Sequence, residues 1–451
     1  MSDRTVIFFG AGTTTACDMP ATVKQGKLFS SFFFNNDTVF REWIHNNVKI
    51  LKDEDIDVLT ALKQEPQIQK LKQFVNDTFT SDSFDMMSFY NLVDMSITER
   101  RGFRCGEKVY SVDEIQNFRS ILLVLLQTLF GLLENNILRD KEQEFNKLKR
   151  FFKAIAKKEL NKRRMQYIND SVDLQSRKFL FTDVEYISLN WDVLVLWAMM
   201  LAHKELNNSN SNYISDKYGI SKLKVFNEFF AYLNSSDTGS EKNKDWFPYS
   251  QPVAFRLNDT EHPSDKRVVL FPTYFPHGQT HWLECPICGK LTMYLDKQFR
   301  VYSQNFAMSP KRQYRCSHCD QRLNLENSAM LLQTSYKVKS PYNEEIQRSM
   351  RIAINNAKRL VFIGYSLPND DIEYRSIFRI SSSEPKKVYV VLYQSGAPNK
   401  FIPAKEVLKN NNGNNEEIKR YCDIFGEENV QVNYAGFPDA SDKVLEILKQ
   451  E

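Results

Sequence analysis

The chain has 451 residues, 42% of them hydrophobic, which excludes a disordered protein and leaves room for two or three structural units. Sixty basic residues against 56 acidic ones leave a formal charge of +4, too small to mark a nucleic-acid footprint, although it does not exclude a local basic patch. Three of the seven cysteines, Cys17, Cys105 and Cys422, are scattered, as expected of a cytoplasmic protein in a reducing compartment.

In chain order, Val6–Phe9 reads as a short buried strand ended by Gly10-Ala11-Gly12, too brief for a signal peptide. From about 24 to 180 the apolar residues recur at three and four, predicting helices such as Phe40 to Leu51, Ile68 to Phe79, Phe118 to Leu138 and Phe145 to Leu160. The apolar run Ile121–Leu133 falls short of the roughly 20 residues a membrane span needs, so it is expected to be a buried helix, with no membrane partner. The basic stretch Lys147 to Arg164 reads either as a solvated helix face or as a binding patch.

A second strand is expected within Phe179–Leu189, ending in Ser188-Leu189-Asn190-Trp191-Asp192, with a buried helix over Val193–His203. Val268–Pro272 reads as a strand leading to His277-Gly278. Glu344–Ala357 is an amphipathic helix feeding the strand Leu360–Gly364, and Val388–Leu392 and Val430–Tyr434 are further strands. Ser441–Lys449 closes the chain as a helix, with Ser441 as its expected cap. Apolar strands alternating with helices predict an α/β fold: a Rossmann-like parallel sheet with helices on both faces and a large helical insertion, to which the pairs Cys285/Cys288 and Cys316/Cys319 add a small four-cysteine ribbon with zinc spacing. The boundaries read as 1–34, 178–279 and 326–451 for the Rossmann domain, 35–177 for the insertion and 280–325 for the ribbon.

Cys285-Pro-Ile-Cys288 and Cys316-Ser-His-Cys319, separated by twenty-seven residues, have the spacing of a four-thiolate structural zinc site. The alternative, a chance pairing of reduced thiols, does not account for four of seven cysteines falling in two such pairs. His277 and His318 are then not needed as ligands. His277 reads either as structural or as a general base, since imidazole exchanges a proton near neutral pH.

Strand-Gly10-Ala11-Gly12-Thr13-Thr14-Thr15 has the form of a phosphate-binding turn, with glycines for close approach and hydroxyls at a helix start; it also fits a plain tight turn. Asn190 and Asp192 stand just past a strand end, where open parallel sheets bind ligands, or else they cap the following helix. Gly364-Tyr365-Ser366-Leu367-Pro368 again follows a strand, and Asn369, Asp370 and Asp371 are placed to cap the next helix.

The order of these pieces resembles the sirtuin superfamily, whose pattern runs Gly-Ala-Gly-x-Ser, Thr-Gln-Asn-x-Asp, His-Gly, two Cys-x-x-Cys pairs and Gly-x-Ser-Leu. The counterparts are Gly10–Thr14, Ser188–Asp192, His277-Gly278, the four cysteines and Gly364–Leu367; residues 35–177 lie outside the resemblance. It implies NAD as substrate, with the nicotinamide–ribose bond broken. Gly10, Ala11, Gly12 and Thr14, with Thr13 beside them, would hold the diphosphate. Asn190 would position the nicotinamide ribose or a water, Asp192 would line the nicotinamide pocket, and His277 would act on a ribose hydroxyl or on water. Gly364 and Ser366 would contact the adenosine half. Protein deacylases of the family carry Gly-Ile-Pro-Asp-Phe-Arg after the first glycines. Here Asp18-Met19-Pro20-Ala21-Thr22 keeps Pro20 and lacks the Phe and Arg, which favours hydrolysis. Gln333–Tyr336 does not resemble the acyl-peptide-binding region. The form Gly-Tyr-Ser-Leu-Pro-Asn-Asp-Asp looks more like the sirtuin-like NAD hydrolases of bacterial anti-phage defence.

The expected function is therefore NAD hydrolysis to nicotinamide and ADP-ribose, under regulation, with the helical insertion occluding the site or mediating homo-oligomer or partner contact. The alternatives are an NAD-dependent protein-lysine deacylase and a non-catalytic module that senses NAD or ADP-ribose. Salt-dependent DNA binding would mark a nucleic-acid role for the basic helices.

Overall fold

A computed structural model of the chain describes residues 4–20, 22–169, 181–208, 220–226, 232–233, 267–280, 282–289, 291–293, 314–316, 319–323, 327–331, 341–369, 371–381, 386–410 and 415–449. The frame is an eight-stranded sheet in the order Ile402–Pro403, Val430–Asn433, Lys387–Val391, Arg359–Ile363, Thr5–Phe9, Val184–Ser188, Arg267–Tyr274, Ile220–Phe226. Every neighbouring pair is parallel except Ile402–Pro403, which runs antiparallel at one edge. Thr5–Phe9 is central and wholly buried, pairing Phe9 with Ile363 on one side and with Ser188 on the other.

Strand alternation explains how the sheet is covered. Phe8 and Phe9 point to opposite faces. Phe9 packs on Phe152 of the helix Glu142–Asn169, which also touches Tyr186 of the next strand. Phe8 meets Phe362 and Phe378, and Phe362 meets Tyr421, so the helices Ile372–Ser381 and Glu416–Phe425 cover the other face. With both faces buried, the strands read as continuous apolar runs, which is why they were legible.

Between the first two sheet positions in chain order lies the helical block: Thr22–Phe34, Asp37–Asn47, Asp53–Lys63, Pro66–Thr78, Met86–Thr98, Val112–Asp140 and Glu142–Asn169. Local chemistry sets its boundaries. Asn36 accepts from the Val39 amide (3.0 Å), Asp85 from Ser88 (2.7 Å), and Ser111 with Glu114 forms a capping box. The expected helix to Leu51 stops at Asn47, and a new one begins at Asp53, where Asp55 accepts from the Lys52 amide (2.9 Å). A hairpin, Phe103–Cys105 with Lys108–Tyr110, interrupts the helical pattern. Val112–Asp140 is, among the described residues, the one helix long and apolar enough to cross a membrane; 83% of its apolar window is buried inside the protein, as expected of a core helix.

Four lysines of the basic helix are ion-paired: Lys149 and Lys153 with Glu205, Lys162 with Asp183, Lys147 with Asp439. The last helix, Ser441–Ile447, departs from expectation. Its N-cap is Ala440, whose carbonyl accepts from Val444, so Ser441 lies inside the first turn and cannot cap it.

Candidate functional site

Three turns meet at the carboxyl edge of the sheet, around its central strand. Gly10–Gly12 follows Thr5–Phe9, Leu189–Asp192 follows Val184–Ser188, and Gly364–Leu367 follows Arg359–Ile363. Open parallel sheets place ligands at this edge. A cavity of about 770 Å³ lies there, within the range of small-molecule and cofactor sites. Gly10, Ala11, Gly12, Thr14, Pro20, Asn190, Asp192, Gly364 and Ser366 all line it.

The glycines have a reason of their own. Gly12 N–H donates to the Gly364 carbonyl (2.9 Å), and Gly10 N–H to Ile363 (2.9 Å). A Cβ on Gly12 would lie 2.8 Å from Gly364 Cα, and one on Gly364, at φ +62°, would lie 2.3 Å from the Thr13 nitrogen. The two turns press backbone on backbone, which only glycine permits. The Tyr421 hydroxyl donates to the Tyr365 carbonyl (2.6 Å) and Arg420 to that of Ser366 (2.9 Å), holding the second turn from the helix behind it.

Thr13 is turned away: its hydroxyl donates to the Ile363 carbonyl (2.8 Å), and the residue does not line the cavity. Thr14 instead donates to Asp192 Oδ2 (3.1 Å). Asn190 commits an amide N–H to the Gly10 carbonyl (3.1 Å). Asp192 Oδ1 accepts from the Leu194 amide (3.1 Å), so it caps the helix Leu194–Asn208 and lines the cavity at once. The two readings of this residue are therefore not exclusive.

Asp192 is 3% exposed, and burial, reinforced by the neighbouring Glu134 carboxyl, pushes its pKa up to about 7. Glu134, from the helix Val112–Asp140, is fully buried and accepts from the Val193 amide (3.0 Å); burial raises it to about 8. Cys17 lies close enough to feel Asp192, and burial raises its thiol to about 12, which makes it unreactive.

His277 is fully buried and does not line the cavity. Its Nδ1 lies 3.1 Å from the Leu189 carbonyl, and its ring packs edge-on against Tyr374 (5.3 Å). It thus supports the Leu189–Asp192 turn from behind. Gly278 must be glycine, since at φ +64° a Cβ would sit 2.0 Å from the Ala329 carbonyl oxygen. Asp371 precedes the helix Ile372–Ser381, its carbonyl accepting from Arg375 N–H, while its carboxylate takes the Tyr365 hydroxyl (2.6 Å). Asp370, His318 and Gln333–Tyr336 lie outside the described residues.

The remaining cavity wall comes from the helical block: Gln25, Lys27 and Ser30, then Asp85, Met86 and Met87, then Phe130. Lys27 is the one cation among the described residues lining it. Sequence reasoning missed this wall because nothing in a helical pattern tells which polar residues face a distant turn. Glu134 left a signal: an acid directly after the apolar run Ile121–Leu133, in a helix whose apolar residues are otherwise buried.

The cysteines form a separate centre. Cys285 and Cys288 extend from the hairpin Trp282–Glu284/Leu291–Met293, and Cys316 and Cys319 sit between Tyr314–Arg315 and Arg322–Leu323. All four sulfurs lie within 4.8 Å of one another, with Cys285–Cys319 at 3.6 Å and Cys288–Cys316 at 3.5 Å. Four sulfurs about 2.3 Å from a tetrahedral zinc stand about 3.8 Å apart, so the set fits zinc. Each pair is followed by a left-handed residue, Gly289 at φ +63° and Asp320 at φ +59°, whose N–H donates back to Cys285 and Cys316.

No family model matches this chain, and no curated protein does. Among solved structures, one described as Sir2Tm bound to a propionylated peptide is 10% identical and covers 99% of this chain and 92% of its own, at a TM-score of 0.28. A likeness at that score supports no inference about this chain.

Proposed function

We propose that the protein is an NAD hydrolase that breaks the nicotinamide–ribose bond to give nicotinamide and ADP-ribose. The observation that carries this reading is Asp192: a carboxyl lining a cavity at the sheet edge, oriented by Thr14 and the Leu194 amide and balanced between its charged and neutral forms near neutral pH. Glycosidic cleavage passes through an oxocarbenium-like state, and a fixed carboxylate in a dry site lowers its energy. Asn190 stands beside it to orient a ribose hydroxyl or the attacking water. The Gly10–Gly12 and Gly364–Ser366 turns supply backbone for the diphosphate and the adenosine half. Lys27 adds a cation for the phosphates.

Two features favour water over an acyl-lysine as acceptor. The Phe and Arg that deacylases carry after Pro20 are absent, and part of the wall of the cavity that Asn190 lines is built from the helical block. That block, closing one side of the cavity, is also the element through which the enzyme would be kept silent until triggered, by occlusion or by assembly. A role in anti-phage defence through NAD depletion fits such a controlled activity.

Nicotinamide release from NAD alone tests the reading, with an acyl-lysine peptide and an infected-cell extract as added arms. Release without peptide, abolished by Asn190→Ala, supports hydrolysis. Strict dependence on peptide would assign a deacylase instead. Binding of NAD or ADP-ribose with no turnover in any arm would assign a sensing module.

A further inference from the structure

Two consecutive amides at the start of the Leu194–Asn208 helix are held by two different acids. Leu194 N–H is taken by Asp192, two residues earlier in the same segment. Val193 N–H is taken by Glu134, which arrives from the helical block, 59 residues away in the chain. Both acids are almost completely buried. A carboxyl is a costly choice for a buried backbone donor, because a neutral amide accepts the same hydrogen bond without the risk of a buried charge. Its effect here is to bring a second ionisable group behind the one that lines the cavity.

We infer that Glu134 is a positioning residue through which the helical block governs Asp192. The idea rests on the reading of Asp192 as the reacting carboxylate. Glu134 fixes the peptide between Asp192 and Val193, and thereby the angle at which the Asp192 side chain meets Thr14 and the cavity. Its second effect is electrostatic. Glu134 lies close enough to Asp192 to raise its pKa, and Cys17, just after the short helix Gly12–Thr15, is a further titratable group within electrostatic reach of Asp192. The interaction of the two acids is mutual, so whichever ionises first holds back the other. A movement of Val112–Asp140 that drew Glu134 away would change both the placement and the charge of Asp192 without touching the substrate.

The test reads carboxyl titration directly, by pH-difference infrared spectroscopy of protonated carboxyls in the full chain, comparing wild type, Glu134→Gln and Asp192→Asn. Glutamine keeps an acceptor for Val193. In wild type the pair gives two transitions, whose apparent pKa values should sum to roughly one unit more than the two single-variant values together. Equal sums would overturn the inference. Should Glu134→Gln fail to fold, Asp192→Asn decides alone: the higher wild-type transition must fall, and an unmoved one contradicts the coupling. In activity, Glu134→Gln should shift the pH profile of nicotinamide release while leaving KM for NAD within about two-fold. An unaltered profile would also count against the idea. Absence of any nicotinamide release from wild type would remove the proposed function, yet the infrared sums would still decide the coupling.

Discussion

The Thr14 hydroxyl donates to Asp192 Oδ2 across 3.1 Å, joining two sheet-edge turns that are 178 residues apart in the chain. The side chains two residues beyond Gly12 and two residues beyond Asn190 thus tie the two turns together. Removing either partner should loosen both. Thr14→Val, nearly isosteric, is expected to weaken nicotinamide release by roughly 10-fold or more through misplacement of Asp192, with little change in melting temperature. Steady-state kinetics with a thermal melt check this, and unchanged kcat/KM would count against the link.

The two buried acids give stability a defined pH dependence. Asp192 and Glu134 have folded pKa values of about 7 and about 8, above their unfolded values. Between roughly pH 4 and pH 8 the folded state therefore holds protons that the unfolded chain has released, so stability falls as pH rises through this window. Glu134→Gln removes one such group, and it should stabilise the protein at pH 8 by about 1 kcal/mol or more, with a smaller gain at pH 5. Denaturant titrations at both pH values measure the difference. A uniform gain, or a loss at pH 8 alone, would be the wrong sign.

Gly364→Ala should cost about 3 kcal/mol or more, since the new Cβ would lie 2.3 Å from the Thr13 nitrogen in a left-handed backbone. Gly396→Ala is the control: its φ is +75° but nothing lies within 4 Å of a Cβ, so only the backbone penalty of about 1 kcal/mol remains. Equal losses in urea unfolding would mean that the contact between the two turns contributes nothing.

Zinc and histidine should separate. Cys285→Ser removes one of four thiolates and is expected to lower zinc content and melting temperature together. His277→Ala should retain full zinc, because the four sulfurs complete the tetrahedron without it. It should still lose activity, because it takes away the ring behind the Leu189 carbonyl. Metal analysis alongside the melt distinguishes these outcomes, and zinc loss in His277→Ala would break the division.

The sheet was legible because its strands are buried on both faces and read as unbroken apolar runs; the expected Val6–Phe9 lies within an observed strand, and Leu360–Gly364 and Val388–Leu392 each overrun theirs by one residue at the carboxyl end. Zinc spacing was legible because a Cys-x-x-Cys turn is a local geometry. Three things were not. The direction of Thr13 depends on a carbonyl 350 residues away, at Ile363. The cap of the last helix fell to Ala440 because the first turn starts at Ser441. Glu134 and the cavity wall from the helical block depend on how helices pack, which periodicity does not encode beyond which face is apolar.

The most direct test of the account is nicotinamide release from NAD by the purified full-length protein without any acyl peptide, with and without infected-cell extract, comparing wild type with Asp192→Asn. Wild type should release nicotinamide and ADP-ribose in at least one of these conditions, and Asp192→Asn should fall by about 100-fold or more while staying folded. Equal rates in the two chains, or release only when an acyl-lysine peptide is supplied, would contradict it.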